Sequence, residues 1–141
     1  MARRTERRIL AVDFGDRRTG LAATDFTGTI VVPLPMLRGL DDAQCAAQIA
    51  ELASDRGSEV VVVGVPLDAN GEVGARAKRT LGFVAALQKV ARVPVETVDE
   101  SHSTDEAHDL LKAAGLRASQ RRPLADSVAA MVILERFRAG R

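Results

Sequence analysis

Ile9-Leu10-Ala11-Val12-Asp13-Phe14-Gly15 is an apolar run that ends in a carboxylate and then a glycine. Short, β-rich and without polar alternation from Ile9 to Val12, it reads as a strand buried on both faces, at the centre of a sheet. Asp13 then stands where that central strand surfaces. Taken alone, Asp13, Gly15 and Asp16 are also ordinary turn formers. Two further apolar segments carry acids where they emerge: Val95-Glu96-Thr97-Val98 leads into Asp99-Glu100, and Asp126 opens the apolar helix that follows Pro123.

Working outward, Asp16-Arg17-Arg18 can turn the chain into Thr19–Thr24, and Thr27-Gly28 can turn it again into Thr29–Leu34, an antiparallel meander of three strands. Asp41-Asp42 begins a helix with Cys45, Ile49 and Leu52 on one face, and Gly57 ends it. Val60–Val63 is a second fully apolar strand, Gly64–Gly74 a loop, Ala75 to about Val90 a helix, and Val95–Val98 the fifth strand. Ser103 and Glu106 are spaced as a capping box for a helix that Gly115 closes. The last helix is expected to start near Pro123 and to be largely buried. A right-handed crossover from the third strand places the fourth beside the first, giving a mixed five-stranded α/β sheet of order 3-2-1-4-5 flanked by helices. Asp13, Gly64 and Asp99-Glu100 then emerge at one edge. Asp126 can join them, because Ala129, Ala130, Ile133 and Phe137 follow it on an inward-facing stripe.

The 141 residues suggest a single domain, 1–141, with residues 1–7 a flexible basic tail. Cys45 is the only cysteine, which excludes a disulfide framework and reads as a small core residue. No stretch reads as a membrane span or signal peptide, so a cytoplasmic protein with no membrane partner is expected. Net charge is +1, but the arginines cluster: Arg17 and Arg18 by the first turn, Arg76 and Arg79 at the start of the helix after the fourth strand, and Arg117, Arg121 and Arg122 before Asp126. Arginine suits bidentate phosphate contacts. Neither His102 nor His108 has a metal-ligand spacing, and no Ser-His-Asp or Cys-His set is present.

Three carboxylates held together without compensation would repel. At ~5 Å and an effective dielectric of ~20 each pair costs about 3 kcal/mol, so such a cluster calls for a proton or a cation. Mg2+ or Mn2+ suits an all-oxygen site, and one or two such ions can activate water against a phosphodiester.

Four stretches together resemble the YqgF/RuvX family: Asp13-Phe14-Gly15 with Thr19-Gly20, Val63-Gly64-Val65-Pro66-Leu67 with Gly71, Asp99-Glu100-Ser101 with Ser103-Thr104, and Asp126-Ser127-Val128-Ala129-Ala130 with Ile133-Leu134. The resemblance covers nearly the whole chain. It implies a ribonuclease H-like fold and a nuclease that processes the 5′ end of pre-16S ribosomal RNA, or a resolvase of branched DNA. It further implies Asp13, Glu100 and Asp126 as catalytic, metal-binding acids, with Asp99 beside them. Where the family usually carries arginine after the two acids, this chain has Ser101. The expected partners are nucleic acid and the ribosomal particle, with the chain a monomer or weak homodimer. Asp13-x-Gly15-x-x-x-x-Gly20 is also similar to the first phosphate turn of actin-like kinases, which need a second domain. The non-enzymatic alternative is an RNA-binding module that cuts nothing. The loop carrying Gly71 is expected to gate substrate and approach a phosphate through its backbone.

Overall fold

The computed structural model describes residues 7–100, 115 and 118–140, with residues 118–124 described by their backbone alone. The expected order holds: β3-β2-β1-β4-β5, with β1 parallel to β4, β4 parallel to β5, and β1, β2 and β3 antiparallel in turn. β1 (Ile9–Asp13) is central, and Ile9 to Val12 are all buried. Its alternation feeds two cores. Leu10 and Val12 face α1 (Asp42–Arg56) and α2 (Ala75–Val90), packing with Cys45, Ile49, Phe83 and Leu87. Ile9 and Ala11 face the last described helix, α3 (Ala118–Ala139), and its Ile133, Leu134 and Phe137. Side chains alternate along a strand, so Asp13 continues the Ile9-Ala11 series and points toward α3.

Local chemistry fixes the ends of α1. The Asp41 carboxylate accepts from the Gln44 N–H while the Gln44 side chain accepts from the Asp41 N–H, a reciprocal capping box. Gly57 closes the helix at φ 66°. Arg7, expected in a tail, has its guanidinium 5.8 Å from the centre of the Phe137 ring.

Four boundaries differ from expectation. β3 runs over Val31–Arg38 rather than 29–34, through Pro33 and Pro35, because an edge strand tolerates missing donors. β4 (Val60–Pro66) carries on through Gly64, since ladder bonds to β5 continue as far as the Pro66–Glu100 pair. β5 (Val95–Glu100) therefore contains both of its acids. α3 starts at Ala118, upstream of Pro123, which stands sixth in the helix and leaves the Ser119 carbonyl without its intrahelical donor. Ser101, His102, His108, Arg117 and the Ser103–Glu106 box lie outside the described residues. Among those described, no helix is long and apolar enough to cross a membrane.

Candidate active site

Asp13 ends β1 opposite Gly20 of β2 (Arg18–Thr24). Residues directly opposite in an antiparallel pair share a face, so Gly20 also looks toward α3. A Cβ on Gly20 would overlap the backbone carbonyl of Asp126, so the missing side chain is what lets α3 close onto the sheet there. Beside this approach the Ser127 hydroxyl donates to the Leu34 carbonyl at 2.9 Å, tying the same turn of α3 to β3. Asp126 is thereby brought to Asp13. It lies eight residues past Ala118, which removes the helix dipole as its explanation, since that effect falls off within the first turn.

Burial raises the Asp13 pKa from 3.8 to about 7, and the charges of Asp126 and, less strongly, Glu100 push the same way against the Arg76 guanidinium. Asp126 and Glu100 thus both act on Asp13. Glu100 is 3% exposed and its Oε1 lies 2.8 Å from Arg136 Nη1 of α3. It is two residues further along its strand than the position level with Asp13, because Gly64 pairs with Val98 and Pro66 with Glu100. Asp99 alternates to the opposite face and is exposed. Ile133 covers the backbone at Gly64, its Cδ1 lying 2.5 Å from where a Cβ would stand.

Asp13 and Asp126, but not Glu100, open onto a cleft of about 980 Å³ whose lining also includes Arg17, Arg18, Arg38 and Arg76. Arg38 escapes notice in the sequence, where it follows a proline-rich run; in the sheet it pairs in register with Arg18. Arg18 Nε is 3.2 Å from Asp126 Oδ2. Arg79 is engaged elsewhere: it donates to both Asp42 carboxylate oxygens at 2.7 and 2.9 Å, meets Asp16 at 3.1 Å, and caps Phe14, which stacks on Phe83. Gly71 sits at the exposed tip of its loop at φ 76° with open space around it. That loop is organised by Asp68, whose carboxylate accepts from the N–H groups of Asn70 and Glu72. Arg121 and Arg122 belong to α3, but their side chains are not among those described.

A hard divalent cation fits this donor set in part. Among the described residues, no three acid, histidine or cysteine side chains come close enough to enclose an ion. Asp13 and Asp126 do crowd their charges together, and magnesium is commonly held by one or two carboxylates with water and substrate phosphate completing the shell.

The raised Asp13 pKa makes a stability prediction. Between the unfolded value near 4 and the folded value of about 7 the folded chain holds the extra proton, so the Asp13 contribution to stability is lost as pH rises through that window. The loss is at most about 4 kcal/mol, from roughly three units at 1.36 kcal/mol each. Thermal midpoints of the wild type and Asp13→Asn in chelator should therefore diverge from pH 5 to pH 8, the variant gaining. Parallel curves would contradict the buried, crowded carboxylate.

Comparison with known proteins gives a consistent grouping. Residues 7–138 match the model of a family described as RuvX, Holliday junction resolvase. A Chloroflexus aggregans protein named "Putative pre-16S rRNA nuclease" is 37% identical over 132 residues, covering 94% of this chain and 93% of that one. A Kineococcus radiotolerans protein of the same name is 42% identical over 130 residues, covering 89% and 68% respectively. Among solved structures, the fowlpox virus Holliday junction resolvase superposes with a TM-score of 0.59 at 11% identity, covering 95% of this chain and 99% of that one. Thermus thermophilus RuvC with a Holliday junction substrate gives 0.56 at 16% identity, covering 93% and 96%. At such identities the likeness is one of fold, the ribonuclease H-like fold of resolvases.

Proposed function

Because the chain belongs to the RuvX family, described as Holliday junction resolvase, we propose that it is a Mg2+- or Mn2+-dependent nuclease that hydrolyses phosphodiester bonds in the precursor of 16S ribosomal RNA. The single observation that carries this reading is the meeting of Asp13 and Asp126 in an arginine-lined cleft, with the Glu100 charge also felt at Asp13. The choice of RNA rests on relatives 37% and 42% identical that carry the pre-16S name. Work on that precursor would bring the protein to the ribosomal particle, in the cytoplasm.

In this reading Asp13 and Asp126 hold the cation and Glu100 supplies the third negative charge at the site. The cation, when bound, polarises the scissile phosphodiester and offsets charge on the leaving oxygen. Asp99 is left out of the set because its side chain lies on the other face of β5. Arg17, Arg38 and Arg76 hold the backbone phosphates on either side, and the sequence cluster Arg117, Arg121 and Arg122 supplies further phosphate contacts. Arg79 joins it only if a phosphate displaces Asp16 or Asp42.

The deciding experiment offers the purified protein a precursor 16S RNA and a four-way DNA junction, each with Mn2+, Mg2+ or chelator. Cation-dependent cutting of the RNA is expected. Cutting of the junction alone would make the chain a resolvase, and binding without cutting a non-catalytic RNA module.

If the cleft arginines track phosphates, Arg17→Ala and Arg38→Ala should each flatten the log–log salt dependence of RNA binding by about 0.7 to 0.9 for every phosphate no longer neutralised. An unchanged slope would make these arginines surface decoration. Gly71→Val should cut turnover more than it lowers the thermal midpoint, since a β-branched residue resists φ of 76° at the tip of the proposed gating loop. Turnover that falls only in step with unfolding would make the loop a plain connection.

A further inference from the structure

The acid pair and the arginine cleft share one residue. Arg18 lines the cleft with Arg17, Arg38 and Arg76, yet its Nε lies 3.2 Å from Asp126 Oδ2. On its other side stands Arg38, directly across the β2–β3 ladder. A like charge opposite is unfavourable in a sheet, so Asp126 relieves Arg18 as much as Arg18 relieves Asp126. A second arginine–acid pair near these acids differs in the burial of its acid. Arg136 pairs with Glu100, which is 3% exposed, and breaking a buried pair strands a charge away from water. Arg18 and Arg136 are equally exposed, at 40% and 39%; what sets the Arg18 pair apart is that both its members line the cleft, where solutes reach them, while Glu100 and Arg136 do not.

Resting on the reading of Asp13 and Asp126 as a cation site, we propose that Arg18 is a shared residue that couples cation binding to phosphate binding. Without a cation, Arg18 neutralises Asp126 and is unavailable to substrate. A divalent ion arriving at Asp126 competes with the guanidinium for the same carboxylate and releases it. Arg18 begins β2, so once released it remains at the cleft beside Arg38, where a backbone phosphate accepts its hydrogen bonds. Linkage makes the effect reciprocal: a phosphate that draws Arg18 away from Asp126 strengthens cation binding by the same factor. The chain then acquires its cation and its nucleic acid together, and the cation-free chain holds nucleic acid weakly.

Two titrations test this without measuring cleavage. Mn2+ is titrated into the protein by calorimetry with no nucleic acid present. A short fluorescent RNA with phosphorothioate linkages, which resist hydrolysis, is titrated by anisotropy in Mn2+ and in chelator. Arg18→Gln is expected to bind Mn2+ roughly five- to tenfold tighter than wild type, and to lose a similar factor of the Mn2+-dependent gain in RNA affinity. Arg18→Lys keeps the competing charge and should retain Mn2+ affinity within about twofold of wild type. Arg38→Gln should weaken RNA binding alike in both conditions. Mn2+ affinity of Arg18→Gln equal to or below that of wild type, or an undiminished gain in RNA affinity, overturns the coupling while leaving the cation site standing. A wild type that binds no Mn2+ overturns the cation site and the coupling together.

Discussion

Asp13→Asn and Asp126→Asn are each expected to reduce cation-dependent cleavage by about a hundredfold or more, the scale on which losing one charge-stabilising group counts. Both variants should stay folded. Asp13 is a carboxylate whose burial and acidic neighbours push its pKa to about 7, so a neutral amide of the same shape removes a repulsion. Its thermal midpoint at pH 8 should match or exceed that of wild type. Asp126→Asn takes the partner from Arg18, which is 40% exposed and can turn to water, and removes the repulsion with Asp13, so its midpoint should change little. Cleavage with Mn2+ and circular dichroism on the same samples separate loss of chemistry from loss of fold. Full activity in either variant would remove that acid from the site.

Of the alanine changes at Gly15, Gly20, Gly64 and Gly82, Gly20→Ala should be the most damaging. The added Cβ would meet the Asp126 backbone carbonyl, and a backbone atom of a packed helix cannot swing aside as a flexible side chain can. Overpacking of this kind costs about 1–3 kcal/mol, occasionally more, and this site belongs at the upper end. Moving α3 outward also separates Asp126 from Asp13, so cleavage should fall by about 10²-fold even at temperatures where the variant is folded. Gly82→Ala is the control. Gly82 lies inside α2 with open space around it, so the same methyl should stabilise by about 0.5–1 kcal/mol. Chemical denaturation of both variants tests the contrast, and equal effects would mean that α3 is not seated on Gly20.

Strand order is legible in the sequence because a meander followed by right-handed crossovers leaves few choices, and Asp13 is legible because an unbroken apolar run can surface only at its ends. The height of Asp126 on its helix is not. Pro123 looks like a first-turn residue, and only the backbone shows that the helix starts at Ala118. Arg38 is hidden by Pro33 and Pro35, which in a lone sequence argue against a strand reaching that far, although an edge position excuses them. Arg136 resembles any last-turn helix arginine; its pairing with Glu100 depends on α3 crossing the whole sheet, a long-range fact with no local signature. Gly20 is legible as a motif glycine, but its reason, the approach of a helix a hundred residues away in sequence, is not.

The two prolines of β3 also bear on how copies of this chain can meet. β3 is an outer strand of the sheet, the position where a second molecule would otherwise add a strand and continue the ladder. Pro33 and Pro35 have no N–H to offer such a strand, and the register shift between Thr19 and Leu21 further distorts the β2–β3 pairing behind them. Two missing donors make β3 a poor template for an added strand, which disfavours a continuous two-molecule sheet and strand-by-strand aggregation at that side.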